Sequence, residues 1–261
     1  YPSLKAALNA AVSGDTIELG EGILCEWGIR IPDNLTVAIQ GAGADKTYLD
    51  GQYQDWVLRG EKGSFQLSDF TICNSFAKLG NYGALSSSNG SAVWTINNCD
   101  FVDNDGNGAG PSVLSTGSNP TLTFNGCRFL GNFDSPIATF MVESVAKANF
   151  VNCLFAENDP VNHLMRTFGS GSIDAINCTI SAGHTNSDTL RTQTEFSTIS
   201  VYNCVFDDSN GTSVLGGFGP IVANHNLFPG ASGDNIDGVP TFADAANGDY
   251  RLAAGSQGID A

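Results

Sequence analysis

Five cysteines recur in one local context along the chain: NNCDF at Cys99, NGCRF at Cys127, VNCLF at Cys153, INCTI at Cys178 and YNCVF at Cys204. They are 28, 26, 25 and 26 residues apart. A fixed period in the twenties is the mark of a solenoid, in which each repeat is one turn stacked on the last. Apolar residues alternate ahead of each cysteine, as in Trp94 and Ile96, Leu122 and Phe124, and Ile199 and Val201. That is strand periodicity. The alternation then slips by one residue before resuming at the cysteine and the apolar residue two places on (Cys99 and Phe101, Cys178 and Ile180). A slip in the inward series is a corner.

Asn98, Gly126, Asn152, Asn177 and Asn203 stand immediately before the cysteines, and Asn and Gly best tolerate a left-handed backbone. Each coil is therefore predicted to bend there, with Asn98, Asn152, Asn177 and Asn203 hydrogen-bonding from coil to coil as a polar ladder. Cys99, Cys127, Cys153, Cys178 and Cys204 are expected to fill an interior column as small apolar groups. Equivalent positions in successive coils lie in a line ~4.8 Å apart, so these thiols cannot converge on one zinc and are poorly placed for disulfides. Phe70 is expected at the cysteine position of the preceding coil and Asn226 at that of the following one. Cys73 is then pushed outward or into a bend, and Cys25 and Cys73, both outside the register, are left able to pair with each other.

The chain has 261 residues, 41% hydrophobic and 15% charged, with 27 acidic against 11 basic residues and a net charge of −16. A surface so acidic repels nucleic acid and anionic membranes. No run approaches ~18 apolar residues, so no membrane-spanning helix is expected. Leu4, Ala7, Leu8 and Ala11 share one helical face and predict a short N-terminal capping helix. The expected layout is a cap over 1–15, coils over 16–238 and a closing segment over 239–261. At about 26 residues per coil this gives roughly ten coils and a rod ~50 Å long.

The start, SLKAALNAAVSGDTIELGEGIL, resembles the capping helix and first coil of the right-handed parallel β-helix, or pectin-lyase-like, superfamily. The FxxN repeats Phe101 to Asn104, Phe129 to Asn132 and Phe155 to Asn158, with GAL at Gly83, resemble those of bacterial polymorphic outer-membrane proteins. The last two coils depart from FxxN, with Gly183 and Ser209 at the Asn position, and GAL only partly matches that family's GGAI. The ending from Pro240 to Ala261 resembles the closing coil of secreted, cell-surface-anchored β-helix proteins. The resemblance implies an all-β solenoid and an extracellular or cell-surface chain, with Tyr1 the start left after signal-peptide removal. This fold hosts lyases, hydrolases, adhesins and structural proteins alike.

The superfamily's best-known activity, cleavage of acidic polysaccharides, needs Asp ligands for Ca2+ or paired catalytic carboxylates, with Arg or Lys on the same face. His163 and Asp188 fall ten positions after their ladder cysteines, and Arg166 and Arg191 thirteen. In adjacent coils these four are expected to stack on one face, as a catalytic group or as a structural hydrogen-bonded and ion-paired cluster. The loop from Asp103 to Gly108 matches the first half of a calcium-binding loop, with Asp103, Asp105 and Asn107 as ligands, although the closing Glu is replaced by Leu114. The same residues make ordinary turns, as do Asp207, Asp208, Asp234 and Asp237. Ca2+ is the one cofactor the sequence suggests, and none is required. Trp27, Tyr48, Tyr53 and Trp56 are read either as a sugar-stacking platform or as partly buried lids.

On these grounds the leading expectation is a secreted structural or adhesive rod that assembles with itself or binds surface glycans. The alternatives are a polysaccharide lyase or glycoside hydrolase, and a non-catalytic carbohydrate-binding protein.

Overall fold

A computed structural model describes residues 1–78, 83–108, 110–135, 138–182, 188–207 and 213–258. Among them the chain winds through three parallel sheets, visiting each in turn and returning to the first one strand further along. The first sheet has nine strands, from Asp15–Glu18 to Ile221–Asn224. The second has ten, from Gly22–Cys25 to Ile236–Asp237, and the third eight, from Ile29–Arg30 to Leu215–Gly217. Eight coils thus contribute to all three sheets, and a ninth is partial. The expected ten is corrected because the cap and the closing segment lie outside the stack and several early coils are longer than 26 residues. Three coils recur below: coil 6 (Lys147–Val151, Leu154–Asn158, His163–Thr167), coil 7 (Ser172–Ile176, Thr179–Ala182, Leu190–Thr192) and coil 8 (Thr198–Tyr202, Val205–Phe206, Leu215–Gly217).

Parallel pairing in register puts like positions on top of one another, so each inward residue becomes part of a column. Trp94, Leu122, Ala148, Ile173 and Ile199 form one, and Ile96, Phe124, Phe150, Ala175 and Val201 the next. Phe101, Phe129 and Phe155 stack at centroid spacings of 5.1 and 4.7 Å. They meet the Phe124–Phe150 stack edge-on. These rings are fully buried and supply much of the apolar area that offsets the ordering of so many short strands.

The corner ahead of each cysteine is left-handed, with φ between +50° and +61° at Asn98, Gly126, Asn152, Asn177 and Asn203. The cysteines behind them are buried, and Phe70 and Asn226 continue their column, also buried. The column is not merely apolar packing. Each thiol from Cys127 onward lies 3.4–3.5 Å from a carbonyl of the coil before, and Cys204 Sγ in turn accepts the Cys178 N–H. Asn226 takes over this role with its amide, accepting from Cys204 N–H at 2.8 Å and donating to the Val201 carbonyl at 3.1 Å.

The corner asparagines themselves are exposed. Asn203 donates to Asn177 at 2.7 Å, but Gly126 interrupts the row and no continuous ladder forms there. The buried ladder lies at the next corner, in the FxxN asparagines Asn104, Asn132 and Asn158, all with zero exposure. Asn132 donates to Asn158 Oδ1 at 2.8 Å and to the Phe101 carbonyl at 3.0 Å, while its own Oδ1 accepts from the Asn104 side chain and backbone. Every hydrogen-bonding capacity of the amide is used. That is the reason Asn, rather than an apolar residue, fits this enclosed bend.

At the N-terminus, the helix Leu4–Ala10 buries Leu4, Ala7 and Leu8 on the predicted face. Ser3 Oγ caps it, and the Glu26 carboxylate accepts from Leu4 and Lys5 N–H. At the other end, Phe242–Asp244 and Asp249–Leu252 form an antiparallel hairpin. It folds back beside the stack rather than over its end, with Tyr250 Oη 3.2 Å from the Glu157 carboxylate of coil 6. Among the described residues, no helix is long and apolar enough to cross a membrane.

Cys25, exposed, and Cys73, buried, lie on either side of Asp50, in the register Cys25–Asp50–Cys73. Two ladder steps, ~9.6 Å, exceed disulfide reach, and both thiols are free. Burial pushes the Cys73 and Cys99 thiols up to about 12. Hydrogen bonds to neighbouring thiols, then burial, do the same at Cys153 and Cys178. In the native protein a thiol reagent at neutral pH is expected to label Cys25 promptly and the five column cysteines only after unfolding. Prompt labelling of the column, read by peptide mass spectrometry, contradicts this packing. Asn132→Ala removes the acceptor of the Asn104 backbone and side-chain N–H groups and the donor to the Phe101 carbonyl, and is expected to cost about 3 kcal/mol in urea unfolding. A loss under about 1 kcal/mol would show that the ladder is dispensable.

Candidate functional site

The third sheet presents an outward column of Ser86, Ser115, Met141, Arg166, Arg191 and Gly216, one residue per coil. Arg166 and Arg191 are therefore direct neighbours on coils 6 and 7. His163 opens the coil 6 strand. Leu164 and Met165 N–H both donate to the Thr189 carbonyl, at 3.0 and 3.1 Å, and both side chains enter the core. This local irregularity breaks the strict alternation that would otherwise separate His163 from Arg166.

His163 Nδ1 lies 2.8 Å from the backbone carbonyl of Asp188, and the residue is 7% exposed. A carbonyl only accepts, so Nδ1 carries the proton and Nε2 keeps its lone pair. Burial lowers the affinity of the ring for a second proton, and the charges of Arg191 and Arg166 lower it further, against an opposing contribution from the Asp188 carbonyl. At neutral pH the imidazole is thus an uncharged base of fixed tautomer.

The Asp188 carboxylate pairs with Arg191. It lies directly over Gly216, where any side chain would collide with it. Arg191 is further held by the ring of Phe218, 5.8 Å from its Cζ. Arg166 has no hydrogen-bond partner among the described residues, and its Nε is buried. Burial makes the charged form of Arg166 costly, relieved in part by Glu143, whose own carboxyl is raised by burial and lowered by Arg166. An incompletely paired guanidinium beside a second one favours an incoming anion.

The four residues selected from the cysteine spacing thus meet on one face. The calcium-loop residues are less concentrated. The Asp105 carboxylate accepts from its own loop at Asn107 N–H, and Asn107 donates to the Ala77 carbonyl. Asp103 stands at a left-handed corner over Gly131. Burial raises both Asp103 and Asp105, with Glu157 adding to the first and Asp134 to the second. Among the described residues, no three of His, Cys, Asp and Glu gather in a metal-binding arrangement. Asp208, Gly183 and Ser209 lie outside the described residues. Asp207 accepts from Ser181, and Asp237 from Gly230 N–H, as turn residues do. Trp27, Tyr48 and Trp56 are half-buried and only Tyr53 is exposed, so they make no continuous platform. A cavity of about 420 Å³ on the second sheet is lined by Asp50, Asp100, Asp103 and Arg128. Its cation is spent on the bidentate pair with Asp100.

The fold is a parallel β-helix. Neither a protein-family model nor a curated protein matches the chain. Among solved structures it is similar to the A-module of the mannuronan C-5 epimerase AlgE4 from Azotobacter vinelandii, at 14% identity and a TM-score of 0.37, covering 85% of this chain and 74% of that one. It is also similar to a mutant of the PL6 family alginate lyase AlyGC, at 11% identity and a TM-score of 0.27, covering 96% of this chain and 54% of that one.

If the two guanidiniums hold His163 neutral, Arg191→Ala removes one opposing charge and frees the Asp188 carboxylate, and both changes favour imidazolium. The His163 titration followed by NMR should move to higher pH in this variant. An unchanged or lower midpoint would refute the electrostatic coupling.

Proposed function

We propose that this chain acts on an acidic polysaccharide, holding a uronate carboxylate between Arg166 and Arg191 while His163 removes the proton from the adjacent ring carbon. The observation that carries this reading is the fixed tautomer of His163: Nδ1 is committed to the Asp188 carbonyl at 2.8 Å, so the basic nitrogen is Nε2. Arg166, on the same strand as His163, and Arg191 are in register one coil apart. Proton transfer to Nε2 leaves the electron pair delocalised into the bound carboxylate, where the two cations stabilise it. Expulsion of the 4-linked glycosidic oxygen then forms a carbon–carbon double bond, the leaving oxygen taking a proton from water. Return of a proton to the opposite face instead inverts the carbon.

Asp188 is a positioning residue in this scheme, since its carbonyl orients His163 and its carboxylate orients Arg191. Hydrolysis through two free carboxylates fits less well, because the Asp188 carboxylate is already paired. Without proton transfer the same face makes a glycan-binding or adhesive surface.

Incubation with polymannuronate, polyguluronate and polygalacturonate separates these cases, reading the ultraviolet absorbance of unsaturated product and deuterium uptake from heavy water. His163→Ala is expected to reduce turnover at least about a hundredfold while leaving affinity within a fewfold. The wild-type rate should rise with pH as His163 loses its proton, reach half its maximum below the ordinary value of 6.5, and stay level above it. Full activity in His163→Ala overturns the base assignment, and tight binding without turnover of any of the three polymers makes the chain a binding protein.

A further inference from the structure

Nine of the chain's phenylalanines are fully buried, yet three in consecutive coils are open to solvent: Phe168 at 44%, Phe196 at 68% and Phe218 at 70% exposure. All three follow the third-sheet strands that carry Arg166 and Arg191, or the strand after them. The backbone bonds Phe168 N–H to Val142 O, Gln193 N–H to Thr167 O and Phe218 N–H to Thr192 O, each 2.9 Å, stack Glu143, Phe168, Gln193 and Phe218 in one column. That column runs alongside Met141, Arg166, Arg191 and Gly216. Phe196 projects from the coil 7 turn between them and the first sheet. A row of phenyl rings left in water marks a surface that something covers.

We propose that Phe168 and Phe218, with Phe196 beside them, form a stacking rail for the sugar rings of an anionic glycan lying along the solenoid axis over coils 6 to 8. The proposal rests on the uronate reading of the Arg166–Arg191 site. A uronate ring has an apolar C–H face and an anionic edge, and this surface offers phenyl faces and guanidiniums in parallel columns. Phe168 and Phe218 are two coils, ~9.6 Å, apart, comparable to two residues of an extended pyranose chain. Alternate sugars therefore meet successive rings while Gln193 faces the sugar between them. Glu143, which follows the strand Ala138–Val142 stacked ahead of coil 6, closes the column with a like charge, which confines the chain to coils 6 to 8. Glu195 is exposed next to Phe196, so the sugar carboxylates turn toward the arginines.

The test is calorimetric titration of three proteins with oligomannuronates from dimer to hexamer and with neutral cello-oligosaccharides. These are the wild type, Phe168→Ala/Phe196→Ala, which leaves Phe218 against Arg191, and Arg166→Ala/Arg191→Ala. The exposed phenyl groups can be removed without opening the core, and unchanged thermal melting verifies it. In the wild type, affinity is expected to rise with length up to the tetramer. The phenylalanine variant should lose about tenfold on the tetramer and less than twofold on the dimer, and the arginine variant should lose binding at both lengths. Equal tetramer affinity in the wild type and the phenylalanine variant overturns the rail and leaves the uronate site standing. Binding of cello-oligosaccharides alone, with the same phenylalanine dependence, keeps the rail and overturns the uronate reading. Binding of neither series by the wild type overturns both.

Discussion

Hydrogen bonding between successive coils is the constraint from which the rest of the molecule follows. Each strand is too short to hold its shape alone and borrows its backbone partners from the coils on either side. Parallel pairing in register forces residues one period apart onto the same vertical line, so a choice made once per repeat becomes a column. Phenylalanines become ring stacks, cysteines a file of thiols each reaching back to a carbonyl, and asparagines a ladder. A side chain is tolerated here only if it is also tolerated by the copy of itself one coil away.

The corners are where this constraint is most expensive. A bend interrupts the strand ladder and leaves backbone groups turned toward an enclosed space, where an unpaired group costs more than a lost contact. Asn104, Asn132 and Asn158 satisfy one such bend with buried amides. The cysteine corner uses thiols for most of its length and reverts to amides at Asn226 and Asn235. The left-handed residues ahead of the cysteines are solvated by their position. Two corners with similar sequences thus carry different burdens, one exposed and conformational, the other buried and hydrogen-bonded.

The candidate site breaks the stacking rule in an informative way. Like charges one coil apart repel, and Arg166 above Arg191 is held only because Asp188, Glu143 and Phe218 distribute the cost. The chain has 11 basic residues against 27 acidic ones, so placing two of them side by side next to a neutral histidine concentrates positive potential where the rest of the surface is negative. Gly216 leaves room for the Asp188 carboxylate, and the doubled backbone bond at Thr189 sets the angle of His163. The site depends as much on a missing side chain and a local bulge as on its charged groups.

Cysteine spacing, apolar periodicity and the Asn or Gly ahead of each cysteine determined the solenoid, the left-handed corner, the capping helix and the alignment of His163, Arg166, Asp188 and Arg191, but not the third strand of each coil. Periodicity in sequence becomes proximity in space whenever like positions stack. What it left open was decided by direction and enclosure. The FxxN asparagines were legible as a repeat but not as the buried ladder, because sequence does not show which side of a bend faces inward. Their recurrence at one place in three coils was the available signal. The coil count depended on where the chain leaves the stack, which the terminal hairpin settles by lying alongside it. That His163 bonds the backbone of Asp188 rather than its carboxylate, and that Phe168, Phe196 and Phe218 remain in water while their neighbours are buried, are matters of side-chain orientation. Only the packed tertiary structure fixes these, because each depends on groups from several coils at once.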